Sequence, residues 1–401
     1  MHNRLRSLED ICDRPAKTRG ECEVTLRRHF SIFVLALSQL AFSRANGAET
    51  GRSDLSKAPY PPSELINGIT WEWATYTNAA PGSDLWPVTW GADDNLYVAW
   101  GDGGGFGGTD SDGRVAMGIG RIEGGPENWR GFNVNGGKNP EHPATFLKRG
   151  KTSALLSLQG ILYAIVNLQD GTWPDVNHAL VWSKDNGKTW NQADWVFPRG
   201  VARFQPAKFV NFGRDYKGVP ESLAGYVYVC GQRQPETGRN GRTLHILRAP
   251  IGKLRNEFEY VLLGGRFDVS PSELNAKSEL KDTSSLFEDT NGVAIAGIVY
   301  NPGIKRFLLT CYHTGPGQLG VFESPMLEGP WRTIAYYENW GGMRTEGEGL
   351  SCEFPQKWMS ADGLTMWSIF AVYGEGAKKG IKAHDRFNLV KVKLKLTEQA
   401  H

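Results

Sequence analysis

The 401 residues carry 45 Lys and Arg against 43 Asp and Glu, and the small positive balance sits at the start: the first 48 residues hold eight basic and five acidic side chains, which leaves 37 against 38 afterwards. A near-neutral remainder excludes the basic surface that nucleic-acid binding requires. With 49 Gly and 14 Trp and no long stretch rich in Ala, Leu, Glu and Lys, the composition points to many short strands joined by tight turns and excludes a helical bundle.

In chain order, the first element is Phe30–Phe42, the only long apolar run, preceded by Arg27-Arg28 and followed by Ser43-Arg44-Ala45 and Ala48. Charged, apolar and small residues in that order read as a secretory signal, with cleavage expected after Ala45 or Ala48 and a secreted or periplasmic mature chain. The other reading of the run is a tether formed by an uncleaved signal, since thirteen residues are too few to span a bilayer as a helix. The polar stretch ahead of it is long for a signal, which suggests a start codon downstream of Met1. Residues 1–48 are thus assigned to the signal region, 49–64 to a linker and 65–397 to a single domain, expected to be monomeric and, in its mature form, free of the membrane. Cys230, Cys311 and Cys352 remain after cleavage; an odd number of widely spaced thiols without a C-x-x-C pair is neither a disulfide framework nor a zinc site.

From residue 86 onward a unit recurs roughly every 50 to 60 residues: an apolar strand, a polar turn, a second strand and two further amphipathic strands. The pairs are Trp86–Trp90 with Leu96–Trp100, Thr152–Leu156 with Ile161–Val166, Val293–Ile298 with Phe307–Tyr312, and Phe354–Met359 with Met366–Val372, with a weaker copy between Phe204 and Cys230. Five units predict an all-β fold, a five-bladed β-propeller of four-stranded antiparallel blades. The outer halves end in similar phrases, among them Glu127–Phe132, Gly187–Trp190 and Gly329–Ile334. Ser183–Trp190 resembles the Asp-box of sialidase-type propellers, a hairpin in which Asp185 caps the turn and Gly187 takes positive φ with Trp190 packed beneath. A strand near Ile69–Ala74 is expected to join Phe387–Leu396 and close the last blade, removing an exposed edge.

In such a fold the residues before the first strand of a blade and after the second share one end. With a turn at Ala92–Asn95, antiparallel pairing sets Leu85 opposite Asp102 and Asp84 opposite Gly103, so Asp84 and Asp102 become neighbours at one hairpin mouth. Two close carboxylates in a cleft suit glycoside cleavage, one protonated to donate to the leaving oxygen and one ionised to activate water or attack carbon. Turn capping against the adjacent Gly-rich backbone is the plainer use of the same pair. Equivalent arithmetic brings Lys151 and Asn167, Gln205 and Gln232, Asn291, Tyr312 and His313, and Glu348 and Glu375 to that end, a set of hydrogen-bonding partners for sugars. Arg114 follows the first hairpin, and Trp86, Trp90 and Trp100 have faces that could stack on sugar rings, although core packing is the commoner use. The loop Gly101–Arg114 lacks a following helix and so does not cradle phosphate; Asp110 and Asp112 leave a calcium loop open, and no other cofactor is called for.

Asp84–Gly103, together with Gly320–Pro325 and Gly329–Trp331, resembles a bacterial propeller family long without an assigned function, some of whose members are endo-D-arabinanases. That resemblance spans most of residues 65–396 and implies that Asp84 and Asp102 are the catalytic pair, in either order. It implies a hydrolase acting on a polysaccharide. Two rivals stay open: a polysaccharide lyase using Tyr312, His313, Lys151 and Arg114 on a uronic-acid polymer, and a glycan-binding propeller without catalysis.

Overall fold

A computed structural model describes residues 53–141, 149–172, 175–236, 241–256, 261–262, 279–281, 285–313, 319–342, 349–372 and 381–398. These belong to one compact unit, Gly47–His401. The expected signal region, Glu348 and Glu375 lie outside the described residues. Among the described residues the regular structure is antiparallel strand with short 3-10 turns, and no helix is long and apolar enough to cross a membrane.

After β1 (Ile66–Ala79), the chain builds a sheet from β2 (Asp84–Trp90), β3 (Leu96–Gly101), β4 (Met117–Glu123) and β5 (Arg130–Asn135). A second follows from β6 (Lys151–Leu158), β7 (Ile161–Asn167), β8 (His178–Ser183) and β9 (Asn191–Phe197). Next come β10 (Phe204–Phe209), β11 (Tyr226–Arg233), β12 (Gly241–Pro250) and β13 (Val261–Leu262), then β14 (Phe287–Asn301), β15 (Arg306–Tyr312), β16 (Leu319–Ser324) and β17 (Arg332–Tyr337). These two groups form one eight-stranded sheet, because β12 pairs with β14. The last sheet comprises β18 (Gly349–Glu353), β19 (Thr365–Val372) and β20 (Phe387–Leu396), with β1 as its outer strand.

Each group is a meander in which sequence neighbours pair, the cheapest topology in loop entropy. The first strands converge: β2 packs on β6, β6 on β10, β10 on β14, β14 on β18, and β18 returns to β2. β2 and β6 are buried along most of their length because both faces are covered, whereas β5 mixes exposed and half-buried residues. The β1–β20 pairing, from Ile66 opposite Leu396 to Ala79 opposite Phe387, closes the circuit between the two ends of the chain. Trp71, Trp340 and Phe354 pack beneath that junction. Cys230, Cys311 and Cys352 are free and buried.

One expected strand is corrected. The first strand of the last sheet is Gly349–Glu353, and Phe354–Met359 instead turns through a 3-10 helix at Gln356–Trp358. Pro355 supplies the reason: it has no N–H for a ladder and its fixed φ starts the turn.

Candidate active site

The hairpin that carries the site is set by its turn. Asp93 accepts hydrogen bonds from the Asn95 N–H (3.2 Å), Asn95 Nδ2 (2.9 Å) and the Tyr97 hydroxyl (2.8 Å), while Asp94 takes φ 69° and accepts from Trp90 Nε1 (2.9 Å). Both are turn residues. From there Trp90 pairs with Leu96 and Val88 with Val98, a bulge intervenes, and Leu85 then faces Trp100 and Asp84 faces Gly101. The register expected from sequence, Asp84 opposite Gly103, is therefore off by two residues. Gly91 belongs to the loop, which costs one residue, and the bulge absorbs the other. Leu85 and Trp86 hold φ of 74° and 58°, and Asp102 holds 51°, so three non-glycine residues at this mouth occupy left-handed conformations that surrounding structure must enforce.

The mouth collects charge. Asp102 Oδ1 lies 2.7 Å from Lys151 Nζ and 3.3 Å from Arg114 Nη2, and Lys151 also donates to the Ala116 carbonyl at 2.7 Å. Arg114 reaches further to Asp110. Asp102 keeps 38% of its side chain exposed and Lys151 only 18%, so the pair joins a wet carboxylate to a sheltered ammonium. Asp84 retains some accessible surface as a residue, yet its Oδ1 is fully enclosed and meets no hydrogen-bond donor among the described residues. That enclosure pushes the Asp84 carboxyl up to about 7; the nearby Lys151 and Arg114 oppose the rise, and the charges of Asp102 and Asp385 add to it. Gly101 makes the room. A Cβ there would fall 2.7 Å from Lys151 Cδ and closer still to Asp84 Oδ1.

The structure brings Asp84, Asp102, Arg114 and Lys151 into one cluster and sends other expected residues elsewhere. Trp86 is corrected from a sugar platform to core: it is wholly buried, packs on Trp100, Phe106 and Phe387, and donates its indole N–H to the Ser83 carbonyl at 3.0 Å. Tyr312 is likewise core. Its hydroxyl donates to the Ser351 carbonyl at 3.1 Å, and burial holds its pKa well above the ordinary value. His313 is buried and stacks on Tyr336 at 4.2 Å between ring centres. Tyr336 donates to Asp289 Oδ2 and accepts from Asn291 Nδ2, both at 2.8 Å. Gln205 is buried and accepts from Gln232 at 2.9 Å. Asn167 faces Lys151 across β6 and β7, with its Oδ1 enclosed and unmatched among the described residues. Glu348 lies outside them. Asp110 and Asp112, the calcium candidates, are each taken by a protein cation: Arg114 on the first, Lys138 at 2.7 Å on the second.

Two residues escaped the sequence reading. Asp385, in the connection from β19 to β20, accepts the Gly82 N–H on its carbonyl at 2.8 Å, and its Oδ2 lies 3.2 Å from His384 Nε2. The expected closure through Phe387–Leu396 was the available signal, because the residues preceding that strand must enter beside the start of β2.

No protein-family profile and no curated protein matches the chain by sequence. Solved structures do resemble it. A Bacteroides ovatus protein provisionally described as a hydrolase aligns over 82% of this chain and 93% of its own, at 10% identity and a TM-score of 0.51. The shared feature is the fold. The catalytic domain of a Coprinopsis cinerea GH62 α-L-arabinofuranosidase (83% and 98% covered, 10% identity, TM-score 0.46) and Zg3597, a family 117 glycoside hydrolase of Zobellia galactanivorans (82% and 91%, 9%, 0.42), align more loosely.

Proposed function

We propose that this chain is an exported glycoside hydrolase, a five-bladed propeller that cleaves a polysaccharide with Asp84 and Asp102. The observation that carries the reading is the unequal environment of the two carboxyls: Asp84 enclosed, with its pKa raised to about 7, and Asp102 water-exposed between Lys151 and Arg114. Pairs of acids whose surroundings differ in this way are what general acid and base roles require. Asp84, holding its proton near neutrality, donates it to the glycosidic oxygen; Asp102 activates water or attacks the anomeric carbon. The blade count is supported by the five first strands, β2, β6, β10, β14 and β18, each touching the next around a closed circuit. Export is supported by the Arg27–Ala48 pattern alone.

The test is a panel of neutral and uronic polysaccharides scored for new reducing ends and for unsaturated products. Reducing ends without unsaturated products are expected, and Asp84→Asn and Asp102→Asn should each lower the rate about 10²- to 10⁴-fold with the fold intact. Full activity in either variant would sink the assignment; binding without cleavage by the parent would make the protein a glycan receptor.

A further inference from the structure

Resting on that reading of the site, we infer that Asp385 is a positioning residue for the Asp84–Asp102 pair, a third acid delivered to the cluster from the opposite end of the chain, with His384 against its Oδ2. Three observations place it there. The Asp385 carbonyl holds the N–H of Gly82, two residues before Asp84, and the Asp385 N–H returns to the Val372 carbonyl at 3.2 Å, so the residue is pinned at both backbone groups. It is pinned in an unfavourable shape, φ 43°, that a non-glycine residue adopts only where its surroundings insist. Its Oδ1 is enclosed and has no hydrogen-bond donor among the described residues, which is the costly way to hold a carboxylate unless its charge is used.

His384 lies against its Oδ2, and Asp84, Asp102, Asp110 and Arg114 are the charged groups within electrostatic reach. Burial raises the Asp385 carboxyl above its ordinary value; His384 opposes the rise, Asp102 and Asp110 add to it, and Arg114 opposes it. Because Asp385 touches neither cation of the pair, its negative charge acts on Asp84 as a like charge without competing for Lys151. Ionised, it favours the protonated form of Asp84.

The experiment reads Asp84 directly, by carbon-13 carboxyl NMR titration of the full mature chain, with the Asp84 resonance assigned by its loss in Asp84→Asn. In Asp385→Asn the Asp84 midpoint should fall below the parent's by about half a pH unit or more, as expected for removal of one nearby like charge. The alkaline limb of the pH–rate profile should fall with it, while Asp385→Glu restores both. An unmoved Asp84 midpoint in a folded Asp385→Asn protein overturns the inference, whatever the fate of the hydrolase reading, because the titration needs no substrate. If Asp385→Asn does not fold, the parent decides: the Asp84 and Asp385 resonances should share their transitions, and two independent single-step curves overturn it equally.

Discussion

At the far end of β2, Thr89 donates to Asn211 Oδ1 at 2.7 Å and accepts the Ser157 N–H at 2.8 Å, while Asn211 gives its amide hydrogens to the carbonyls of Leu155 and Val88. At the near end of the same strand, Asp84 Oδ1 is enclosed without a donor and the next two residues sit at positive φ. An open cleft lies at the far end, yet Thr89, Asn211, Glu353 and Gln356 within it each have a protein partner. The far end thus matches these polar groups within the fold, whereas the mouth leaves Asp84 Oδ1 without a donor, which is the costlier arrangement.

The largest expected effect lies at the satisfied end. Lys208 and Glu353, 2.7 Å apart on β10 and β18, form an ion pair with both side chains largely buried. Lys208→Met leaves a buried carboxylate without its partner and should cost about 3–5 kcal/mol in denaturant unfolding, whereas adding Glu353→Leu should recover most of the loss. Equal stability of the single and double variants would show that the pair is not a closed unit, and the contrast between the two ends would weaken.

At the mouth the sign reverses. The folded pKa of Asp84, about 7, lies above its unfolded value near 3.8, so between those values the folded state binds more protons than the unfolded chain. Stability contributed by the neutral form is complete at low pH and drains away as pH rises toward and past 7. Asp84→Asn removes the titration, so its stability relative to the parent should rise by roughly a further 2–3 kcal/mol between pH 5 and pH 8, read from unfolding at the two pH values. A variant that loses stability at pH 8 would mean that Asp84 is held by interactions and not merely confined.

How much of this was legible in the sequence follows from distance along the chain. The Ser183–Trp190 turn could be read because all its parts are local: Gly187 takes φ 90°, Asp185 accepts from the Thr189 N–H at 2.9 Å, and Trp190 donates to the Gly187 carbonyl at 2.8 Å. Asp84 and Asp102 could be assigned to one hairpin mouth for the same reason, since one hairpin carries both. The bulge at Leu85–Trp86 could not, because neither residue signals positive φ, and it turned Trp86 into the core when a ring on the open face was expected. Asp385 and the Lys208–Glu353 pair depend on strands brought together only when the circuit closes, and no local pattern announces them.

The smallest expected effect separates confinement from satisfaction. Thr89→Val keeps the shape of a side chain that is 3% exposed and removes only its hydroxyl. The Ser157 N–H then loses its acceptor and Asn211 Oδ1 its donor, in a place where Ser157 is 2% exposed and water has little access. Two stranded polar groups should cost about 1–3 kcal/mol, with activity per folded molecule unchanged, because the far end takes no part in the chemistry. Polar loss at the mouth stabilises above neutrality and destroys activity; polar loss here destabilises and spares it. Calorimetry and the reducing-end assay on the same preparation decide the matter. A Thr89→Val protein as stable as its parent would mean that the far end tolerates unsatisfied groups as readily as the mouth does, and Asp84 would no longer stand out.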